Sequence, residues 1–235
     1  MNPFKLFPWF TIFFAVILTA ELIGLSGYPQ VRLASKGMIM ASLLGIYILR
    51  AKRQEPIVLS GMIFALLGDS FLLFNGDTFF LIGLVCFLVM QICYSIAFWK
   101  KRRIPKARHK LVAASFLVLP IGVLSFGWSQ FGNMLGPVVV YALAITVMLI
   151  TAYLRHPKLN GYKNVLLGSI LFVLSDLALA IGKFITDFPL QSYTVMITYI
   201  FAQYLIITGL LIDEQPQQTE GTKPDKTFGR HKAVK

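Results

Sequence analysis

The chain has 235 residues, of which 57% are hydrophobic and 14% charged, and its mean hydropathy is +0.72. That composition excludes a soluble domain of ordinary usage. The 22 Lys and Arg outweigh 10 Asp and Glu, yet this does not point to nucleic acid, because the basic residues sit almost wholly in loops between apolar blocks, where membrane orientation signals belong.

The blocks are long enough to cross a bilayer as helices, which takes about 20 mostly apolar residues. Period-2 alternation in segments of about 10 residues, the mark of a membrane β-barrel, is absent. The expectation is an all-α polytopic membrane protein, a bundle of eight transmembrane helices. In chain order they are predicted at 7–25, 31–49, 57–74, 78–99, 111–126, 136–154, 164–183 and 191–212. Pro120 falls inside the fifth and is expected to kink it. Residues 1–212 are read as the membrane domain. Residues 213–235, rich in Gln, Thr, Lys, Pro and Gly, are read as a disordered cytoplasmic tail. The first apolar run lacks a small-residue cleavage site in a polar setting and reads as an uncleaved helix. Cys86 and Cys93 share one helix face and read as buried free thiols.

Lys5, the Arg50–Arg53 loop, the dense Lys100–Lys110 loop, the Arg155–Lys163 loop and the tail alternate with loops nearly free of Lys and Arg. Only Arg32 and Lys183 flank the other side. The positive-inside rule then predicts both termini in the cytoplasm, in a bacterial-type inner (plasma) membrane.

Two of the predicted helices carry an acid inside an apolar run: GMIFALLGDSFLL holds Asp69, and GSILFVLSDLALA holds Asp176. In each, a glycine, Gly61 or Gly168, lies eight residues before the acid. A carboxylate at membrane depth costs at least roughly 2.5–3.5 kcal/mol on insertion scales, so a functional role is the default reading. The alternative is that each Asp merely joins helices by hydrogen bonds. The charge-derived topology puts Asp69, Asp176, Lys36 and Glu21 within one layer, roughly 6–11 Å below the outer interface. Each Asp helix is followed by one with a Gln near an aromatic: Gln91 with Tyr94, and Gln203 with Tyr199 and Tyr204. This pattern fits a 4+4 parallel repeat about an axis along the membrane normal.

His109, His156 and His231 all fall in cytoplasmic loops or the tail, away from that layer. There is no HExxH, paired CxxC or Gly-rich phosphate loop, so no metal and no cofactor is expected. The candidates are Asp69 and Asp176 as catalytic groups, with Lys36, Ser175, Tyr199, Gln203, Gln91, Tyr94, Glu21 and Lys183 around them or around a bound substrate. Two carboxylates sharing a low-dielectric pocket do not both ionise readily, and that division supplies an acid and a base from one residue type. Lys36 holds the ionised partner, meets a phosphate, or snorkels to the interface. Lys183 reads as an interfacial lysine within reach of a headgroup, and Glu21 as a structural partner of Lys36.

These residues resemble the YhhN family of integral membrane proteins over about Lys36 to Leu211. The marks are Gly68-Asp69 with Leu72, then Phe87 and Tyr94, and Tyr141 and Met148. They continue with Gly168, Phe172, Ser175-Asp176 and Ala180, and with Tyr199, Ala202-Gln203 and Leu205. Two departures stand out. Gly37 follows Lys36 where the family often has Pro, and Gln91 stands where it often has His. The resemblance implies a hydrolase that cleaves the vinyl-ether bond of lysoplasmalogens to a fatty aldehyde and glycerophosphocholine or glycerophosphoethanolamine. Its partners would be a lysophospholipid substrate and membrane lipid. The chief alternative is a lipid or small-solute carrier with a buried acidic site.

Overall fold

Proline opens three of the helices. Pro8, Pro29 and Pro56 each sit in a first turn, where the missing N–H costs nothing and the fixed φ suits a helix. The computed structural model describes residues 8–127 and 129–214. Lys5, His231 and the tail from residue 215 onward lie outside the described residues. The helices are α1 (Pro8–Leu25), α2 (Pro29–Arg50), α3 (Pro56–Phe71), α4 (Asp77–Lys100), α5 (Ala107–Ser115) and α6 (Val118–Gly127). After a 3-10 turn at Gly132–Met134 come α7 (Leu135–Leu154), α8 (Tyr162–Phe184) and α9 (Gln191–Ile212).

Six stretches are long and apolar enough to cross a membrane: α1, α2, α4, α7 with its preceding 3-10 turn, α8 and α9. The chain is a multi-pass membrane protein of all-helical fold. Exposed apolar residues recur at helical spacing on outward faces, as Val140, Leu143 and Val147 on α7 and Leu167, Ile170 and Leu174 on α8. In water that pattern would be a liability; against lipid tails it is the expected surface.

Two predicted spans differ from expectation. The third is a helix of 16 residues, because α3 ends at Phe71 and the chain then turns. Gly76, with φ +117°, makes that turn and caps α4, a backbone state that glycine adopts without strain. The predicted fifth span, 111–126, is two short helices, α5 and α6, separated at Phe116-Leu117. Pro120 explains the break. It has no N–H for the Phe116 carbonyl, and its ring crowds that carbonyl, so the helix restarts with Pro120 in its first turn. A kink was expected; the outcome is an interruption.

Packing runs between chain neighbours and across them. The pairs are α1 with α2, α2 with α3, α3 with α4, α7 with α8, and α8 with α9, closed by α4 on α7 and by α9 on α2 and α1. Helix α9 is the most enclosed element, with every residue from Ala202 to Ile212 buried. The glycines that precede each Asp serve close packing. A Cβ on Gly61 would meet the Tyr94 ring at 2.8 Å, and one on Gly168 would meet the Ala202 carbonyl oxygen at 2.8 Å. Gly61 thus seats α3 on α4, and Gly168 seats α8 on α9.

The bundle has two unlike ends. At one, the α4–α5 and α7–α8 connections are tied together by Arg103 N–H to Leu154 O at 2.9 Å and His156 N–H to Lys101 O at 2.9 Å. There Arg155, fully buried, pairs with Asp213. Asp213 also accepts the Gly161 N–H at 2.8 Å. Asp213 was expected at the head of the tail, but its side chain is buried. The other end holds a cavity.

Candidate functional site

A cavity of about 320 Å³ opens at the end formed by the α3–α4 turn and the α8–α9 connection. Asp69 from α3 and Asp176 from α8 both line it, with Lys36 and Arg32 from α2, Tyr141 from α7 and Tyr199 from α9. Asp69 is 2% exposed, and Asp176 is partly buried.

Each carboxylate accepts a phenol. Tyr199 OH donates to Asp69 Oδ2 at 2.6 Å, and Tyr141 OH donates to Asp176 Oδ2 at 2.5 Å. Both tyrosines come from a helix other than the one carrying the Asp, so each bond fixes a carboxylate against a neighbouring element. The surroundings of the two then diverge. The Lys36 ammonium, 4% exposed, acts electrostatically on Asp69. Tyr141 is the polar partner of Asp176, and Gln91 lies beside that tyrosine.

The other expected residues fall in three positions. Ser175 lines the cavity, and its hydroxyl donates to the Val195 carbonyl at 2.9 Å, pinning α8 to α9. Lys183 also lines it and bonds Asp77 at 2.8 Å, across the rim. Gln203, Tyr94 and Gln91 lie behind the wall. Tyr94 OH donates to Gln203 Oε1 at 3.2 Å, and Gln203 Nε2 reaches Met90 Sδ at 3.2 Å. Gln91 is fully buried, and among the described residues neither atom of its amide has a hydrogen-bond partner. Glu21, also fully buried, accepts the Ser35 hydroxyl at 2.6 Å and faces Arg32 at 3.8 Å. Its partners are therefore Ser35 and Arg32, with Lys36 contributing only electrostatically.

Lys36 is buried, so it does not snorkel to an interface. Arg32 and Tyr141 were not among the expected site residues. Arg32 looked like a loop charge flanking a span, and Tyr141 entered only as a mark of the family resemblance. Only the three-dimensional packing brings them to the acids. No group of three or more His, Cys, Asp or Glu suited to a metal exists among the described residues.

The YhhN family signature matches residues 31–210. The chain belongs to the YhhN family. It is 28% identical over 178 residues to human lysoplasmalogenase TMEM86A, an alignment covering 73% of this chain and 72% of that protein. The bovine protein of the same name is 26% identical, over 66% of this chain and 65% of its own length. A Mycobacterium tuberculosis protein named lysoplasmalogenase is 27% identical, over 69% of this chain and 63% of its own. No solved structure matches the chain at a significant level. Membership thus brings the Asp69 and Asp176 cavity into a family with lysoplasmalogenases among its relatives.

Proposed function

We propose that the protein hydrolyses the vinyl-ether bond of lysoplasmalogens, releasing a fatty aldehyde and glycerophosphocholine or glycerophosphoethanolamine. The observation that carries the reading is that two membrane-embedded aspartates line one cavity, each held by a tyrosine but only one beside a lysine. The similar proteins named lysoplasmalogenase supply the substrate class.

The difference in surroundings supports a division of roles. Asp69, with the Lys36 ammonium near it, serves as the carboxylate. Asp176, held by a phenol alone, serves as the acid. Asp176 gives its proton to the β-carbon of the vinyl ether, and the electron pair of the double bond forms the new C–H bond. The α-carbon becomes an oxocarbenium ion, which the Asp69 carboxylate stabilises, as in the two-carboxylate hydrolysis of glycosides. Asp69 then takes a proton from the water that attacks the α-carbon, giving a hemiacetal. In the collapse, the hemiacetal hydroxyl proton returns to Asp176, and Asp69 delivers its proton to the departing glyceryl oxygen. Both groups are restored, and one water has been consumed. General acid–base catalysis of this kind contributes about 10²–10⁴-fold.

The same reading places α3 and the α5–α6 pair in the bilayer beside the six long helices, for eight spans. At 1.5 Å per residue α3 is about 24 Å long, roughly 6 Å short of the hydrocarbon thickness, and the turn at residues 72–74 continues it toward the interface. The loop charges put both termini in the cytoplasm and the cavity toward the outer side of a bacterial-type inner membrane. The matched roles of Gly61 and Gly168, with α4 on α7 mirrored by α9 on α2, support a 4+4 parallel repeat. Against the carrier alternative, buried Tyr94, Gln203 and Met90 are packed together behind the cavity wall.

The test is purified protein with synthetic lysoplasmalogen, with aldehyde and water-soluble product both quantified. Equimolar release is expected. Binding of the lipid with no aldehyde would refute the activity.

A further inference from the structure

A second, smaller space adjoins the cavity. It is an apolar crevice of about 80 Å³ between α4, α6, α7 and α8, lined among others by Pro120, Ala142, Ile145, Val173 and Ala180. It shares walls with the cavity: Phe80, Leu84, Tyr141, Asp176 and Leu179 border both. Asp69, Lys36 and Arg32 border the cavity alone. The Tyr141–Asp176 pair therefore stands at the junction between a polar chamber and an apolar slot.

The outer side of the slot is thin. Helix α6 packs on α7, and Val118 and Ile121, which flank Pro120, are 69% and 60% exposed. The Pro120 break thus leaves a short helix between the slot and surrounding lipid. At the cavity rim stand Arg32, facing Glu21, and Lys183, bonded to Asp77 and over the Phe80 ring, with side chains 38% and 37% exposed, and Lys36 lies deeper. Positive charge at the rim and an apolar slot off the cavity wall are complementary to one molecule, a single-chain lipid with a phosphate in its headgroup.

We propose that a lysophospholipid lies across the site in one orientation. Its phosphate sits at Arg32 and Lys183, and the first carbons of its chain lie in the α4–α6–α7–α8 crevice, entered from the bilayer past α6. This deepens the lysoplasmalogenase reading and rests on it for the identity of the linkage. The orientation places that linkage at the junction. The β-carbon, on the tail side, meets Asp176, and the α-carbon, on the headgroup side, faces Asp69. The crevice has room for the first carbons of one chain, which matches a single-chain lipid.

The binding test uses a lipid that cannot be cleaved. A 1-O-alkyl-glycerophosphocholine with a diazirine near the fifth chain carbon is photolysed with the protein in nanodiscs, with and without excess unlabelled lipid. The orientation predicts adducts that the excess suppresses, on peptides containing Pro120, Ala142–Thr146 or Leu177–Ala180, and their loss in Ala142→Phe, which fills the slot. Suppressible adducts on α1, α2 or α9, or adducts the excess does not suppress, overturn it. For the other end, Arg32→Gln with Lys183→Gln should weaken binding of 1-O-alkyl-glycerophosphocholine at least 10-fold while weakening that of the phosphate-free 1-O-alkylglycerol less than 3-fold. Equal loss for both lipids removes the phosphate contact. Neither arm needs turnover. Correct labelling without aldehyde release would refute the hydrolase and keep the lipid site; aldehyde release with labelling elsewhere would do the reverse.

Discussion

The two ends of the bundle both bury charge, and they do so for different ends. At the closed end, Arg155 and Asp213 neutralise each other, and Asp213 also takes the Gly161 N–H. The pair joins three chain segments and lines neither the cavity nor the apolar crevice. At the open end, Asp69 and Asp176 face a common space of about 320 Å³, and each accepts a single phenol. A buried ion pair that faces no cavity is a joint, even though Arg155 Nε and Nη1 have no hydrogen-bond partner among the described residues. Two acids with unequal partners and room between them are chemistry held ready. Burial of charge in an apolar protein therefore does not by itself mark a site; spare hydrogen-bonding capacity facing a cavity does.

The sharpest way to break that comparison is to neutralise one acid at a time. Asp69→Asn and Asp176→Asn should each lower turnover by at least 10²-fold, the lower end of acid–base catalysis. Melting in detergent should stay near wild type, since Asn keeps the volume and still accepts the phenol. Turnover near wild type in either variant removes that residue from the mechanism.

At the closed end the expectation inverts. Asp213→Ala leaves Arg155 buried without its partner, which costs about 3–5 kcal/mol, read as a lower melting temperature. Turnover per folded molecule should stay within a few-fold of wild type. Arg155→Met combined with Asp213→Asn should recover much of that stability, because both residues keep their size, the buried charges go and Asn still accepts the Gly161 N–H. A double variant no better than Asp213→Ala would mean that the pair is more than a joint.

A smaller effect sharpens the difference between the two acids. Tyr199→Phe and Tyr141→Phe each delete one hydrogen bond to a carboxyl group, worth about 1.5–3 kcal/mol when the acceptor is charged. Asp69 is the proposed carboxylate, so Tyr199→Phe should lower kcat more than Tyr141→Phe. The reverse order would exchange the roles of acid and base.

The smallest effect lies at the closed end. The Lys100 ammonium bonds Glu55 at 2.8 Å and holds its carboxyl below the ordinary range. A depressed folded value means that the stabilisation is present above the unfolded glutamate pKa and fades as pH falls through the folded one. Lys100→Gln should therefore lower the melting temperature slightly at pH 7 and not at pH 3. The pair is exposed and worth less than about 1 kcal/mol. A gap that persists at pH 3 would show that the lysine stem, not the charge, does the stabilising.

Much of this architecture was legible in the chain. Apolar length gave seven of the eight predicted helices to within a few residues, and depth along the helices pointed to Lys36, Asp69 and Asp176, which line one cavity. What stayed hidden was direction. Depth alone did not show that Glu21 turns to Ser35 and Arg32, or that Gln203 and Tyr94 stand behind the wall. Tyr141 donates across from α7, and Arg32 reaches the rim from a position that reads as a topology charge. Pro120 was visible, but one proline kinks some membrane helices and divides others, and the outcome depends on neighbours that the sequence does not name.

The most direct test of the central claim follows the proton. Lysoplasmalogen is turned over by wild-type protein in D₂O, the aldehyde is reduced as it forms, and the resulting alcohol is analysed by mass spectrometry, with added aldehyde as a control for exchange. Delivery of an exchangeable proton to the β-carbon predicts one deuterium at C2 of every product chain. A product with no deuterium at C2 would mean that the bond is broken without protonation of the vinyl group, and would contradict the mechanism assigned to Asp176 and Asp69.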